Sequence, residues 1–182
     1  FLANYPVDPL RYYLAVSLPE YRDSDFYWRD FQAKTNNELA DILGNFVNRT
    51  LAFAERTFGG LVPKRGALRE LDRQMLEKLK GVPPAAGGYY EHYRFRDGLL
   101  EVMNLARAAN KYFNDSEPWK TAKSDRDDRC ATTINISIQL ARVLAVLMEP
   151  VIPFSSERMW KMLGLEGDVH RQSWDAASDL LI

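Results

Sequence analysis

The sequence has little of what metal-binding and disulfide-stabilised domains need. Of its 182 residues, one is cysteine (Cys130) and two are histidine. A single cysteine excludes an intramolecular disulfide and a cysteine-based zinc site, and it fits a reducing compartment such as the cytosol. The residues three positions before His92 and His170 are Tyr89 and Gly167, so the Glu-x-x-His pairs that hold two metals in helical bundles are missing. We expect Cys130 to pack as a small apolar residue.

Catalytic motifs and long hydrophobic runs are missing too. The chain contains no Gly-x-Ser-x-Gly turn and no Gly-x-x-x-x-Gly-Lys-Ser/Thr phosphate loop. The apolar run at 140–148 is interrupted by Arg142 and is far shorter than the roughly 20 residues that a membrane helix needs. The formal net charge is −1, unlike that of a protein that holds nucleic acid by bulk charge. We expect a cytoplasmic protein with no cofactor, membrane or DNA partner, in which any nucleic-acid contact is local.

Helical periodicity dominates what is present. Apolar residues recur at intervals of three and four, whereas no strand pattern of useful length and no repeat occurs. We predict an all-α bundle of about five to six helices, three of them long, forming one domain over 1–182. The tail from about residue 165 is predicted to be irregular, with Trp174 as an anchor. The long helices are predicted at about 26–56, stopped by Gly59 and Gly60, at 89–114, with Phe113 among the apolar positions, and at 125–148. The last of these should be the most buried helix.

Local signals give more specific expectations for the ends of helices. Asp8, which precedes a proline, is expected to cap the first helix. Arg11 is expected to be an internal ion-pair partner or, alternatively, a solvated edge. A shorter helix at about 66–79 is expected to end at a pair of prolines, which leaves a loop at 83–88.

A polar pair stands out within the second helix. Asn45 and Arg49 lie one turn apart on the flank of an apolar stripe, with Glu38 in the same column. An amide and a guanidinium that project together can bind another molecule, although a solvated helix edge is the simpler interpretation of the spacing alone. Gly44 indicates either the close approach of another helix or a mild kink. The stripe consists of Leu39, Leu43, Phe46, Thr50, Phe53 and Thr57.

A second candidate feature is Trp119, which follows Pro118 at a predicted junction of two helices. Proline in a first helical turn loses no hydrogen bond, so the indole would be held at this corner. It could serve as a rigid stacking platform or as a plug that fills the corner. Nearby basic residues could contact phosphates or form a solvated helix face. They are Lys120, Lys123, Arg126 and Arg129.

Five segments together resemble the C-terminal anticodon-binding domain of methionyl-tRNA synthetases, in order and spacing across nearly the whole chain. The sister class I synthetases for isoleucine, leucine, valine and cysteine share the first two segments in looser form. Asn45 with Arg49, joined to the Pro-Trp pair, favours the methionine enzyme, and Tyr27 departs from the Ser or Thr usual in the family. The segments are DPLRYYL (8–14), DFYWRDF (25–31), NNELADILGN (36–45), Arg49 and Pro-Trp (118–119).

The resemblance implies a domain that binds the CAU anticodon loop of methionine tRNA. In the family, the equivalent of Trp119 stacks on the first anticodon base, a cytosine, and the residues matching Asn45 and Arg49 hydrogen-bond its edge. Supporting or phosphate contacts would come from Pro118, Lys120 and Lys123.

The resemblance also implies that essential parts lie outside this chain. ATP and methionine would bind a catalytic domain with His-Ile-Gly-His-like and Lys-Met-Ser-Lys-Ser-like motifs, which this sequence lacks. That domain would be the chain's partner, and the chain alone would be inactive in aminoacylation. A start at Phe1 rather than Met fits a piece of a longer protein. Two alternatives stay open: the anticodon-binding domain of a sister synthetase, and a helical interaction bundle that does not bind RNA.

Overall fold

The computed structural model describes residues 3–20, 23–123 and 128–179, and within these ranges it contains helices and no strand. The predicted all-α bundle is therefore confirmed. A π-helical segment, Thr35–Gly44, joins α2 to α3, and two short 3₁₀ turns, Val169–Arg171 and Trp174–Ala177, follow the last helix. The α-helices are α1 (Val7–Val16), α2 (Trp28–Lys34), α3 (Asn45–Phe58), α4 (Glu70–Glu91), α5 (Phe95–Ser116), α6 (Pro118–Thr121), α7 (Arg129–Met148) and α8 (Pro153–Met162).

The long helix predicted at 26–56 is present as one continuous run through α2, the π-helical segment and α3. It ends at Gly59, whose φ of 60° is readily adopted by glycine. In the π-helical segment the Asn45 amide donates to the carbonyl of Ala40, five residues back. A Cβ on Gly44 would lie 3.1 Å from the carbonyl oxygen of Leu39 in the same segment. Gly44 therefore fits the wide turn of its own helix.

The prediction of a loop at 83–88 is wrong, because α4 continues through Pro83 and Pro84 to Glu91. Proline inside a helix removes a hydrogen bond and typically costs about 3 kcal/mol or more. Burial offsets this cost, since Leu79, Val82, Pro83 and Ala86 are buried, whereas Pro84 lies on the exposed side of α4. The turn between the two helices lies later, so α5 begins at Phe95 instead of near residue 89.

Tertiary contacts also overturn the expected cap at Asp8 and the ion pair expected of Arg11, although Arg11 is exposed, as in the solvated-edge alternative. Asp8 does not cap its own helix; it is buried, and its Oδ2 accepts a 2.6 Å hydrogen bond from the amide of Ser155 in the first turn of α8. Arg11 donates to the carbonyls of Val151 (2.9 Å) and Pro150 (2.8 Å), just beyond α7. Tertiary contacts thus use both side chains to hold α1 against the turn between α7 and α8.

The core of the bundle is α7, as predicted. Nearly all of its side chains are buried, including Cys130. Among the described residues, α7 is the one helix whose length and composition would suit a membrane span, but 89% of that stretch is buried inside the protein, as expected of a core helix. Its buried hydroxyls are hydrogen-bonded to carbonyls of the same helix, as in Thr133 to Arg129 (3.0 Å) and Ser137 to Thr133 (2.8 Å).

Hydrogen bonds of Arg142 and Trp174 help attach the C-terminal tail to the bundle. Arg142, on buried α7, donates to the carbonyls of Ala176 (2.8 Å) and Asp179 (2.7 Å). Trp174 donates from Nε1 to the carbonyl of Pro83 (2.7 Å), which confirms its predicted role as an anchor. A Cβ on Gly87 would lie 3.0 Å from the indole nitrogen, so glycine at this position lets the ring approach α4.

His170 provides a pH-sensitive contact in this tail. Its hydrogen bond to Glu149, 2.7 Å between Nδ1 and Oε1, raises the pKa of His170 above its usual value of 6.5, and Asp168 and Glu157 reinforce the shift. Because the folded-state pKa is raised, the stabilisation is fully present below the unfolded pKa and is lost as the pH rises through the folded value. We expect Glu149→Gln to lower the pKa of His170, as measured in an NMR titration. An unchanged pKa would contradict this assignment.

Candidate nucleic-acid interface

Three elements bring two of the predicted site residues to one surface. Arg49 lies on α3, Trp119 on α6, and Phe113 between them on α5. The guanidinium carbon of Arg49 stands 4.9 Å from the centroid of the Phe113 ring. The Phe113 and Trp119 centroids are 6.3 Å apart, with a 39° tilt between the rings. The guanidinium and the indole therefore contact the same buried phenylalanine.

The backbone holds Trp119 at this surface. α5 ends at Ser116, and Glu117, with a φ of 44°, turns the chain directly into α6. Pro118 occupies the first position of α6 and is buried. Trp119 itself is 39% exposed. The indole is thus partly packed and partly open to solvent at the predicted helix junction, and its role in binding stays a prediction.

Asn45 lies one turn before Arg49, as the first residue of α3, and it is exposed. The π-helical segment that precedes it is held by Asn110, whose Nδ2 donates to the carbonyl of Ile42 at 2.8 Å. This change of winding alters the register that a uniform α-helix would give. The position of the Asn45 amide therefore depends on the π-helical segment, which the sequence did not reveal.

Glu38, predicted to share a column with Asn45 and Arg49, belongs to a different cluster. It accepts a 2.5 Å hydrogen bond from the Tyr12 hydroxyl and pairs with Arg107 at 3.3 Å. Burial, followed by the hydrogen bond to Glu38, raises the pKa of Tyr12 far above its ordinary value, so this phenol stays protonated. Glu38 therefore connects the π-helical segment to both α1 and α5.

The four basic residues near Trp119 differ in their surroundings. Lys120 and Lys123 are exposed, and Lys120 forms a solvent-accessible ion pair with Glu117 at 2.7 Å. Exposed pairs contribute little, so Lys120 stays available for a phosphate. Arg126 lies outside the described residues. Both alternatives for Arg129, a phosphate contact and a solvated helix face, are wrong, because this side chain is buried and paired with Asp72 at 2.5 Å.

Sequence reasoning missed two residues of this surface. Phe113 was assigned only to the apolar face of its helix, and Asn114 only to the end of that helix. In the structure, Asn114 accepts a hydrogen bond from Arg49, with 2.7 Å between Nη2 and Oδ1. Asn114 lies 65 positions from Arg49 in the sequence, so spacing along the chain carries no signal of the contact. The closeness of both residues to Pro118 and Trp119 was the one available clue.

A helical bundle that presents an indole and a guanidinium on one surface has the features of a module for binding unpaired bases. Comparison with known proteins identifies the family. Residues 62–181 match the family model described as the anticodon binding domain of methionyl tRNA ligase, and residues 1–51 match that of class I tRNA synthetases of the methionine type. The chain belongs to the methionyl-tRNA ligase family, and the resemblance stated from its motifs is confirmed.

Individual relatives agree with this assignment. The chain is 51% identical over 166 residues to the methionine–tRNA ligase of Pyrococcus furiosus, a match that spans 91% of this chain and 23% of that protein. It is 49% identical over 159 residues to that of Salinibacter ruber, spanning 87% of this chain and 22% of that protein. The solved methionyl-tRNA synthetase of Mycobacterium tuberculosis in complex with methionyl-adenylate superimposes with a TM-score of 0.87 at 27% identity, over 94% of this chain and 34% of that chain. The chain thus spans about a quarter of the curated relatives' length.

Proposed function

We propose that this chain binds the CAU anticodon of methionine tRNA, as part of a cytoplasmic enzyme that attaches methionine to that tRNA using ATP. The observation that supports the proposal is the common surface of Arg49 and Trp119 in a chain of the methionyl-tRNA ligase family. The catalytic domain, and with it the sites for ATP and methionine, would lie outside this chain. The module itself would supply recognition and no chemistry.

The proposed recognition follows from the chemistry of the first anticodon base. An unpaired cytosine can stack on Trp119 and expose its Watson–Crick edge. Arg49 supplies N–H donors for the cytosine carbonyl and ring nitrogen, and Asn45 offers both a donor and an acceptor. Uracil carries an N–H where cytosine has an acceptor, so it would face a guanidinium that can only donate. Arg49 is therefore proposed as the residue that discriminates most between the two bases.

The proposal is tested by titrating the chain with two anticodon stem-loops, one carrying CAU and one carrying UAU, at moderate salt. We expect the CAU loop to bind more tightly. Because the isolated chain can bind weakly, the complete enzyme is assayed beside it. Equal affinity for the two loops, or binding no stronger than that of an unrelated RNA, would reject the methionine anticodon as the ligand and favour a helical interaction module.

Trp119→Ala is expected to weaken binding of the CAU loop by roughly 1 to 3 kcal/mol, the usual range for the loss of a ring that stacks on a base. The fold should lose little stability, because the indole is already 39% exposed. Trp28→Ala is a matched control, since Trp28 is 63% exposed and lies on α2. If Trp119→Ala instead unfolds while binding per folded molecule is unchanged, the indole serves only to fill the helix corner.

A further inference from the structure

The ring of Phe113 is fixed on several sides at the end of α5. It is 3% exposed, and Phe53 on α3 packs against it edge-on at 6.1 Å. Arg49 and Trp119 occupy two further contacts of the same ring, at 4.9 Å and 6.3 Å. A cation near the face of an aromatic ring is attracted by the ring's electrons, and tilted ring pairs are favourable in themselves. One rigid buried group therefore contacts the two side chains proposed to bind the base.

The neighbouring residue restrains the same guanidinium from another direction. Asn114 accepts the 2.7 Å hydrogen bond from Nη2 of Arg49, while Phe113 contacts the guanidinium through its ring. An arginine has five N–H donors, so this contact leaves others available for a ligand. Arg49 is thus held in one orientation, and some of its N–H donors stay available for a ligand.

We propose that Phe113 is a positioning residue that holds Arg49 and Trp119 in the arrangement needed for binding, with Asn114 as a second restraint on Arg49. The inference rests on the proposed function of this surface and goes one step beyond it. A flexible arginine loses much rotamer freedom when it binds, and a pre-positioned one loses less. Phe113 does not touch the base. It lowers the entropic cost of binding and keeps the donors of Arg49 directed to one edge.

Phe113→Leu tests this proposal, because leucine keeps an apolar side chain but lacks the aromatic ring. We expect the CAU loop to bind roughly three- to tenfold more weakly, in line with the loss of one cation–π and one ring–ring contact, and the preference for CAU over UAU to fall. In the absence of RNA, the heteronuclear NOE of the Arg49 Nε–H should decrease, since the guanidinium becomes mobile. Asn114→Ala should lower the same NOE, and Phe113→Met replaces the leucine variant if that does not fold.

Phe53→Leu is the matched control. Phe53 is 7% exposed and contacts the same ring, but the cation above it is Arg56. This variant should lose comparable stability while it keeps the Arg49 NOE and the CAU preference per folded molecule. Equal losses in both variants would show a general packing effect and overturn the proposal, as would an unchanged NOE in Phe113→Leu. If the wild-type chain shows no CAU preference, the proposed function fails, and the NOE still decides whether Phe113 positions Arg49.

Discussion

Arg129→Met is expected to lower the free energy of unfolding by about 3 to 5 kcal/mol, the range for removing one partner of a buried ion pair. Both partners are almost fully buried, and the two guanidinium NH groups contact the two Asp72 oxygens at 2.5 Å. Without Arg129, the donors that the buried carboxylate keeps among the described residues are the Tyr112 hydroxyl (2.7 Å) and the Arg69 amide (2.7 Å). Urea denaturation at neutral pH measures the loss.

The matched control is Arg94→Met, which breaks the exposed pair with Asp97 (2.7 Å). It should lower the free energy of unfolding by less than about 1 kcal/mol. Adding Asp72→Leu to Arg129→Met should recover part of the loss, because the unpaired buried charge is then gone. Similar losses of stability in Arg129→Met and Arg94→Met would show that the buried pair contributes no more to the fold than an exposed pair.

The contribution of this pair also depends on pH. Burial alone would raise the pKa of Asp72, but hydrogen bonds from Arg129, Tyr112 and the Arg69 amide outweigh it and lower the pKa. The stabilisation is therefore present above the unfolded pKa and is lost as the pH falls through the folded value. The stability difference between wild type and Arg129→Met should accordingly shrink in acid.

Arg142→Met is expected to release the C-terminal tail and to cost about 2 to 4 kcal/mol, because hydrogen bonds that involve a charged group contribute more than neutral ones. Arg142 is 5% exposed, and its two hydrogen bonds reach the backbone of Ala176 and Asp179. Burial lowers the pKa of Arg142, and the charge of Asp179 opposes that shift. Hydrogen exchange of residues 173–179 should accelerate together with the loss of stability.

Arg158→Met is the control for this change. Arg158 lies on α8 and bonds only the hydroxyl of Ser155 (2.9 Å) among the contacts described, at an exposed site. Its replacement should change the free energy of unfolding by no more than about 0.5 kcal/mol, as is usual for surface positions. If exchange in the tail is the same in Arg142→Met as in wild type, Trp174 and the 3₁₀ turns hold the tail without the arginine.

Helix signals in the sequence succeeded where local chemistry decides the outcome. Gly59 ends α3 because glycine adopts the left-handed conformation without strain. They failed at Pro83 and Pro84, because the burial of Pro83 and of its neighbours on α4 outweighs the local cost of proline. They also failed to reveal the π-helical segment before Asn45, since its hydrogen bonds leave no mark on the apolar spacing.

The candidate site shows the same division. Asn45, Arg49 and Trp119 were found through motifs that resemble a known family, whereas the contact of both Arg49 and Trp119 with Phe113 appears only in the structure. Arg129 looked like a surface cation from its position after Trp119. Its partner Asp72 lies 57 positions away in the sequence, so only the fold could show that the charge is buried.

The sequence by itself determined the all-α class, the buried core helix and the family, because each depends on the spacing and identity of residues that are close in the chain. The tertiary structure decided which charges are buried, how α4 passes two prolines, and which side chain joins Arg49 to Trp119. The physical reason is that packing energies depend on residues that are distant in the chain. No local pattern records which of many apolar or charged partners a side chain will contact.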